Sequence, residues 1–115
     1  MTITISEFEK ALYLTIRAKQ VVIGSKRVLS ELRMGNLSAV VIAGNAPEHI
    51  KKLIKYYARV AGVPIIKYPD TSVRLGVVCG KPFVIASLGI RKGARNPIYE
   101  MVRKHGEQEI QIVKR

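Results

Sequence analysis

The sequence predicts an α/β protein, a three-layer α/β/α sandwich around a mixed, mainly four-stranded sheet. Three observations carry that expectation. VVI (21–23), AVVIA (39–43), VPIIKY (63–68) and VIASLGI (84–90) are short runs built almost wholly from apolar residues, the composition of strands covered on both faces. The segments between them run to about 8–15 residues, with apolar positions recurring at helical spacing. A chain of 115 residues is also long enough to bury one core and too short for a second.

Taken in order, SEFEKALYLTIRAKQ places Phe8, Ala11, Leu12, Thr15 and Ile16 on one helical face, and Ser6 and Glu9 have capping-box spacing. After VVI, the stretch GSK leads into VLSELRM, where Val28, Leu29 and Leu32 share a face and Gly35 suits a C-terminal cap. After AVVIA, Pro47 fits the first helical position. Ile50, Leu53, Ile54, Tyr57, Ala58 and Ala61 then line one side of the next helix. Lys51, Lys52, Lys55 and Arg59 fall elsewhere on it, by default on a solvated face. GVP ends that helix, and Asp70 or Thr71 is positioned to cap a short one running through Leu75 and Val78 to Gly80. In the basic segment 91–115, Pro97 to Lys104 reads as a helix, and EIQIV reads either as a short edge strand or as a partly ordered tail.

A formal net charge of +12 and a pI near 10.2 point to a polyanionic partner, with nucleic acid ahead of a membrane surface. A hydrophobic fraction of 48% is too high for a disordered basic chain, so the expected object is a compact globule with a basic skin. No apolar stretch approaches the roughly 20 residues of a membrane span, and MTITISEFEK lacks the pattern of a secretory signal, so the expected location is cytoplasmic. Cys79 has no second cysteine to pair with and reads as a small core residue. With only His49 and His105 besides, no zinc ligand set is expected, and neither a metal nor a cofactor is implied. Catalysis has little to work with: 8 acidic residues form no recognisable acid–base pair, and no nucleophile elbow, P-loop or dinucleotide fingerprint is present. His49 is the one plausible base, and a helix-surface histidine is the simpler account of it. The expectation is therefore a non-enzyme.

Three glycine-containing segments stand where strands meet helices or loops: GSKR with Gly24, Ser25, Lys26 and Arg27; AGNAP with Gly44, Asn45, Ala46 and Pro47; and GKPF with Gly80, Lys81 and Phe83. Cations for phosphate, an amide for a base edge and an aromatic for an unstacked base are the means by which RNA is recognised. Each also has a purely structural account. Asn45 before a helix is by default a cap, Phe83 beside a strand is by default core, and the glycines serve tight turns. The three segments share an edge only if the fourth strand runs antiparallel to the first two, because GKPF precedes its strand whereas the other two segments follow theirs.

GSKRV, then VVIAGNAPEHIKKLIKYYARVAGVPIIKY, then SVRLGVVCGKPFVIASL resembles the L-thirty-e family of the archaeal and eukaryotic large ribosomal subunit, within the kink-turn-binding superfamily that includes ribosomal protein L-seven-A-e. The resemblance covers about residues 6–90; its most diagnostic parts are the helix start around Asn45 with Tyr56, Tyr57 and Ala58, and the L-G-x-x-x-G-K-x-F segment from Leu75 to Phe83. It implies an α/β/α fold and binding to a kink-turn, a sharply bent RNA element with tandem sheared G·A pairs. By the same resemblance Gly24 and Lys26 approach the bent backbone and guanine edges, Asn45 reads a sheared-pair guanine, Phe83 packs against unstacked RNA, and Lys51 contacts the backbone. The chain then divides into a kink-turn-binding domain, residues 1–90, and a basic C-terminal extension of that domain, residues 91–115, which inherits no role. Ala46 and Ile50 are less polar than such positions can be in related proteins.

The implied function is a structural constituent of the large ribosomal subunit that binds an rRNA kink-turn and is monomeric when free. The alternatives are a kink-turn protein of a small guide or processing ribonucleoprotein and, from another class, an α/β nucleotide-binding enzyme or a protein adaptor with incidental basicity.

Overall fold

The computed structural model describes residues 2–92, residue 98 and residues 109–113. In chain order the elements are β1 (Thr2–Thr4), α1 (Ile5–Arg17), β2 (Val21–Ile23), α2 (Ser25–Met34), β3 (Leu37–Ala43), α3 (Glu48–Ala61), β4 (Ile65–Tyr68), α4 (Ser72–Val78), β5 (Ser87–Arg91) and β6 (Glu109–Val113). They form an α/β sandwich whose mixed sheet has the order β1-β6-β4-β3-β5-β2. Strands β1, β6, β4 and β3 are mutually parallel neighbours, whereas β5 is antiparallel to both β3 and β2.

The four strands read from the sequence are therefore the contiguous part β4-β3-β5-β2 of the sheet, and β6 and β1 extend it to six. β6 is EIQIV, and it lies between β4 and β1 rather than at the edge. β1 had no expectation attached to it. Its three residues pair only with β6, which follows them by more than 100 positions, so no local pattern could announce it. The helix expected over Pro97 to Lys104 lies outside the described residues except for Ile98, which is helical and buried.

Strand β3 explains the layering. Its side chains alternate between the two faces of the sheet. Ala39, Val41 and Ala43 face α1 and α4, packing with Phe8, Leu12, Leu75 and Cys79. Val40 and Ile42 face α2 and α3, packing with Val28, Leu32, Ile54 and Ala58. Leu37 joins the second group because a bulge between Leu37 and Ala39 inserts one residue opposite β5 and flips the face that follows. Cys79 sits in the first core as expected, and burial pushes its thiol up to about 11.

Local chemistry departs from the sequence reading at two helix starts. The capping box does not form. Thr4 is the N-cap of α1, without a side-chain cap, and Ser6 lies inside the helix. Glu9 instead accepts a 2.6 Å hydrogen bond from the Tyr68 hydroxyl, and Arg74 approaches its other oxygen at 3.5 Å. Burial first, and the Glu9 carboxylate second, hold the Tyr68 phenol well above the usual tyrosine range. Pro47 is the N-cap residue of α3, one place before the first helical position. Thr71 caps α4 as expected, its hydroxyl accepting from the Arg74 amide at 3.2 Å, and Gly35 closes α2.

Candidate nucleic-acid interface

The antiparallel direction of β5 satisfies the condition that the sequence left open. The start of β5 lies between the ends of β2 and β3 and is bonded to both. The Gly24 amide donates to the Ser87 carbonyl (3.2 Å), and the Ala43 amide to the Ala86 carbonyl (2.9 Å). GSKR, AGNAP and GKPF consequently leave the sheet at one edge.

Gly24 turns the chain from β2 into α2 with φ 103° and ψ 138°, a conformation that side-chain-bearing residues rarely adopt. Ser25 then meets buried Ser87 through a 2.8 Å hydroxyl–hydroxyl hydrogen bond. With the helix start pinned in this way, Lys26 and Arg27 are left exposed on the first turn of α2, beside its unbonded N–H groups.

Asn45 does not cap the helix that follows it. Its Oδ1 accepts a 2.8 Å hydrogen bond from the backbone amide of Ser72, the first residue of α4. That contact ties the β3–α3 loop to the start of α4, 27 residues away. A second tie runs from the Gly44 amide to the Asp70 carbonyl at 2.9 Å. Since a backbone N–H can be met only by the amide oxygen, Nδ2 is the end left on the exposed side, with two donors unused among the described residues. Ala46 packs inward at 5% exposure, so it seats the loop and offers no side-chain surface. Pro47 is exposed. Lys51 reaches back to donate to the Gly44 carbonyl at 2.9 Å and pairs with exposed Glu48 at 3.6 Å.

The third segment stands against α4. A Cβ on Gly76 would overlap the Phe83 carbonyl, so the loop lies on the helix only because this position is glycine. The Lys81 amide donates to the Gly76 carbonyl at 3.0 Å, Gly80 turns with φ 70°, and Lys81 is exposed. Phe83 is 53% exposed, which overturns the default reading of it as core. Ile85 fills the core position instead, at 1% exposure. Gly24, Ser25, Arg27, Lys81 and Phe83 line one concavity of about 570 Å³, while Gly44 and Lys51 line a separate crevice.

The sequence reading missed an apolar surface around Phe83. Val73 and Val77 of α4 and Val84 of the loop are each more than half exposed. The signal was present: Val73 and Val77 are four apart on one face of α4, while Leu75 and Cys79 are four apart on the buried face. Among the described residues no cluster of three or more His, Cys, Asp or Glu side chains is arranged to hold a metal ion.

Residues 6–99 match the model of the ribosomal protein L7Ae/L30e/S12e/Gadd45 family. The chain belongs to that family. Among its relatives, the large ribosomal subunit protein eL30 of Methanopyrus kandleri is 36% identical over 102 residues, covering 89% of this chain and 94% of the relative. That of Methanothermobacter thermautotrophicus is 38% identical over 96 residues, covering 84% and 98%. A solved structure of the Giardia lamblia 15.5kD RNA binding protein superposes with a TM-score of 0.72 at 20% identity, covering 86% of this chain and 84% of that one. A Bacillus halodurans protein of unknown function superposes equally well, at 0.72 and 21% identity over 84% of this chain and 96% of its own. At these identities the superpositions speak for the fold, and the α/β sandwich predicted from sequence is the fold they share.

Proposed function

We propose that this member of the family is a non-enzymatic, RNA-binding structural constituent of the large subunit of the cytoplasmic ribosome, and that its loop edge recognises a kink-turn in rRNA. The observation that carries the proposal is the orientation of Asn45. Its oxygen is held by α4, so its two amide donors are left on the exposed side, at the same edge of the sheet as the basic start of α2 and the exposed Phe83. A fixed pair of donors suits the acceptors on a guanine edge. Lys26, Arg27, Lys51 and Lys81 supply phosphate contacts, and Phe83 with Val84 supplies an apolar platform for an unstacked base. Gly24, Ser25, Gly44, Pro47 and Gly80 shape the backbone that presents them, and Ala46 anchors it. Because each of the three loops is fastened to β5 or to α4 and its approach before RNA arrives, binding selects the bent conformer from the open ensemble of the RNA. In this proposal residues 1–90 provide the recognition, residues 91–115 are a basic extension of the same domain, and the free protein is a monomer.

Asn45→Asp tests the reading. Aspartate keeps the oxygen that accepts from Ser72 but loses the outward donors and adds a negative charge. The expected outcome is kink-turn affinity reduced by at least tenfold in a gel shift, with an unchanged or higher melting temperature. Full affinity in the aspartate variant would reject base reading by Asn45.

A further inference from the structure

A second concave feature lies beside the three loops and is not absorbed by them. β3 and β4 are parallel neighbours, yet the chain leaves β3 toward α3 on one face of the sheet and leaves β4 toward α4 on the other. The carboxyl ends of two parallel strands whose helices depart to opposite faces open a crevice, which is where open α/β sheets place ligands. Here that crevice measures about 240 Å³. Ile42, Gly44 and Tyr68 form its strand ends, and Lys51, Lys55 and Lys67 supply its charge.

The lysines are not an ordinary solvated helix face. On α3, Lys52 and Arg59 are exposed, whereas Lys51 and Lys55, one turn apart, are drawn in over the end of the sheet to a half-buried position. Lys67 comes to the same place from β4, on the same side of the strand as buried Ile65. Lys51 is held by the Gly44 carbonyl, and Lys67 is also engaged within the fold. Glu48, whose side chain is 77% exposed, pairs with Lys51 at 3.6 Å at the rim of this cluster. Three lysines lining one walled space give it the positive charge that suits an anion. The space falls below the roughly 300 Å³ at which pockets for whole small molecules begin, so it fits a phosphate group better than an entire nucleotide.

We infer that this crevice is a phosphate-binding site that takes a phosphodiester of the RNA strand continuing past the three loops. The inference rests on the RNA-binding reading and extends its footprint to Lys55 and Lys67. Both open onto the same C-terminal edge of β3 from which Asn45 projects, so a strand leaving Asn45 has a charged path across the end of the sheet.

The test compares Lys55→Ala/Lys67→Ala with Lys55→Arg/Lys67→Arg and with Asn45→Asp, each checked by thermal melting. Probes are a minimal kink-turn RNA, the same RNA with both flanking stems lengthened, and inorganic phosphate. The double alanine variant is expected to lose roughly tenfold in affinity for the long RNA, to flatten the log–log salt dependence by about 1–2 units, and to leave the minimal RNA almost unaffected. The arginine pair should restore binding, and Asn45→Asp should weaken both RNAs. If Asn45→Asp weakens binding while the alanine pair leaves both affinity and salt slope intact on the long RNA, the crevice inference falls and the loop reading survives. If neither variant changes binding, both fall. Saturable chemical-shift changes at Gly44 and Lys55 with millimolar phosphate, with no effect of the alanine pair on RNA, would make the crevice a free-anion site and also overturn the inference.

Discussion

The starts of α2 and α3 look alike in sequence and are built differently. Each follows an apolar strand directly succeeded by a glycine, Gly24 or Gly44, and each leads into a basic helix. The start of α2 is fastened to its own sheet: Gly24 and Ser25 bond to Ser87 of β5, leaving Lys26 and Arg27 outside. The start of α3 is fastened to another helix, with Asn45 on the Ser72 amide and Gly44 on the Asp70 carbonyl. The α2 turn thus presents charge on a strand-anchored support, and the α3 turn presents an oriented amide whose aim depends on α4. Affinity and selectivity are thereby assigned to supports that can be disturbed separately.

The largest effect is expected at Gly76, where α4 bears both the Asn45 tie and the Phe83 loop. Gly76→Ala must displace the Phe83 backbone and should destabilise the fold by about 3 kcal/mol in a denaturant melt, weakening RNA binding with it. Next, Asn45→Ala removes the acceptor for the first amide of α4 together with the outward donors. It should lower stability by about 1 kcal/mol and kink-turn affinity by more than tenfold, whereas Asn45→Asp separates the two losses. Ser87→Ala addresses the α2 turn alone. It should cost about 1 kcal/mol and weaken binding to kinked and straight RNA alike, leaving the preference between them intact. Equal damage to that preference by Ser87→Ala and Asn45→Ala would erase the distinction between the two helix starts.

The smallest expected effect concerns Cys79. Its raised pKa means that the folded state holds the thiol proton more tightly than the unfolded chain does. The associated stability is present below the unfolded thiol value and is lost as pH rises toward about 11. Cys79→Ala should shallow the fall in melting temperature between pH 9 and 11, and the native thiol should resist alkylation at pH 8.

What the sequence made legible follows from how far apart the interacting residues lie. The strand and helix alternation, the two-faced pattern of Val40 to Ala43, the Gly35 stop and the Thr71 cap rest on neighbours within a turn or a pleat, and each is present. The capping box failed although its spacing was correct, because Tyr68 and Arg74 compete for Glu9 from elsewhere in the fold. The three candidate loops were recognisable by composition, but their common edge depends on the direction of β5, which no local pattern encodes. Asn45 was read as a cap of α3 and is not one; its oxygen takes the first amide of α4, 27 residues further along the chain, where Thr71 is the N-cap. The basic face of α3 was read as uniform; only its packing over the ends of β3 and β4 separates Lys51 and Lys55 from Lys52 and Arg59.

The insertion of β6 between β1 and β4 has a consequence for the order of events during synthesis. The pairings among β2, β3, β4 and β5 are complete once residue 91 is available, so that four-stranded part of the sheet, with the loop edge it carries, can close early. β1 must wait, because its sheet neighbour is the sixth strand in chain order. Until then β4 has an open edge, a template for pairing with another chain, and the start of α1 has no strand behind it. Removing residues 109–113 should therefore yield a protein that binds its target when dilute and self-associates when concentrated.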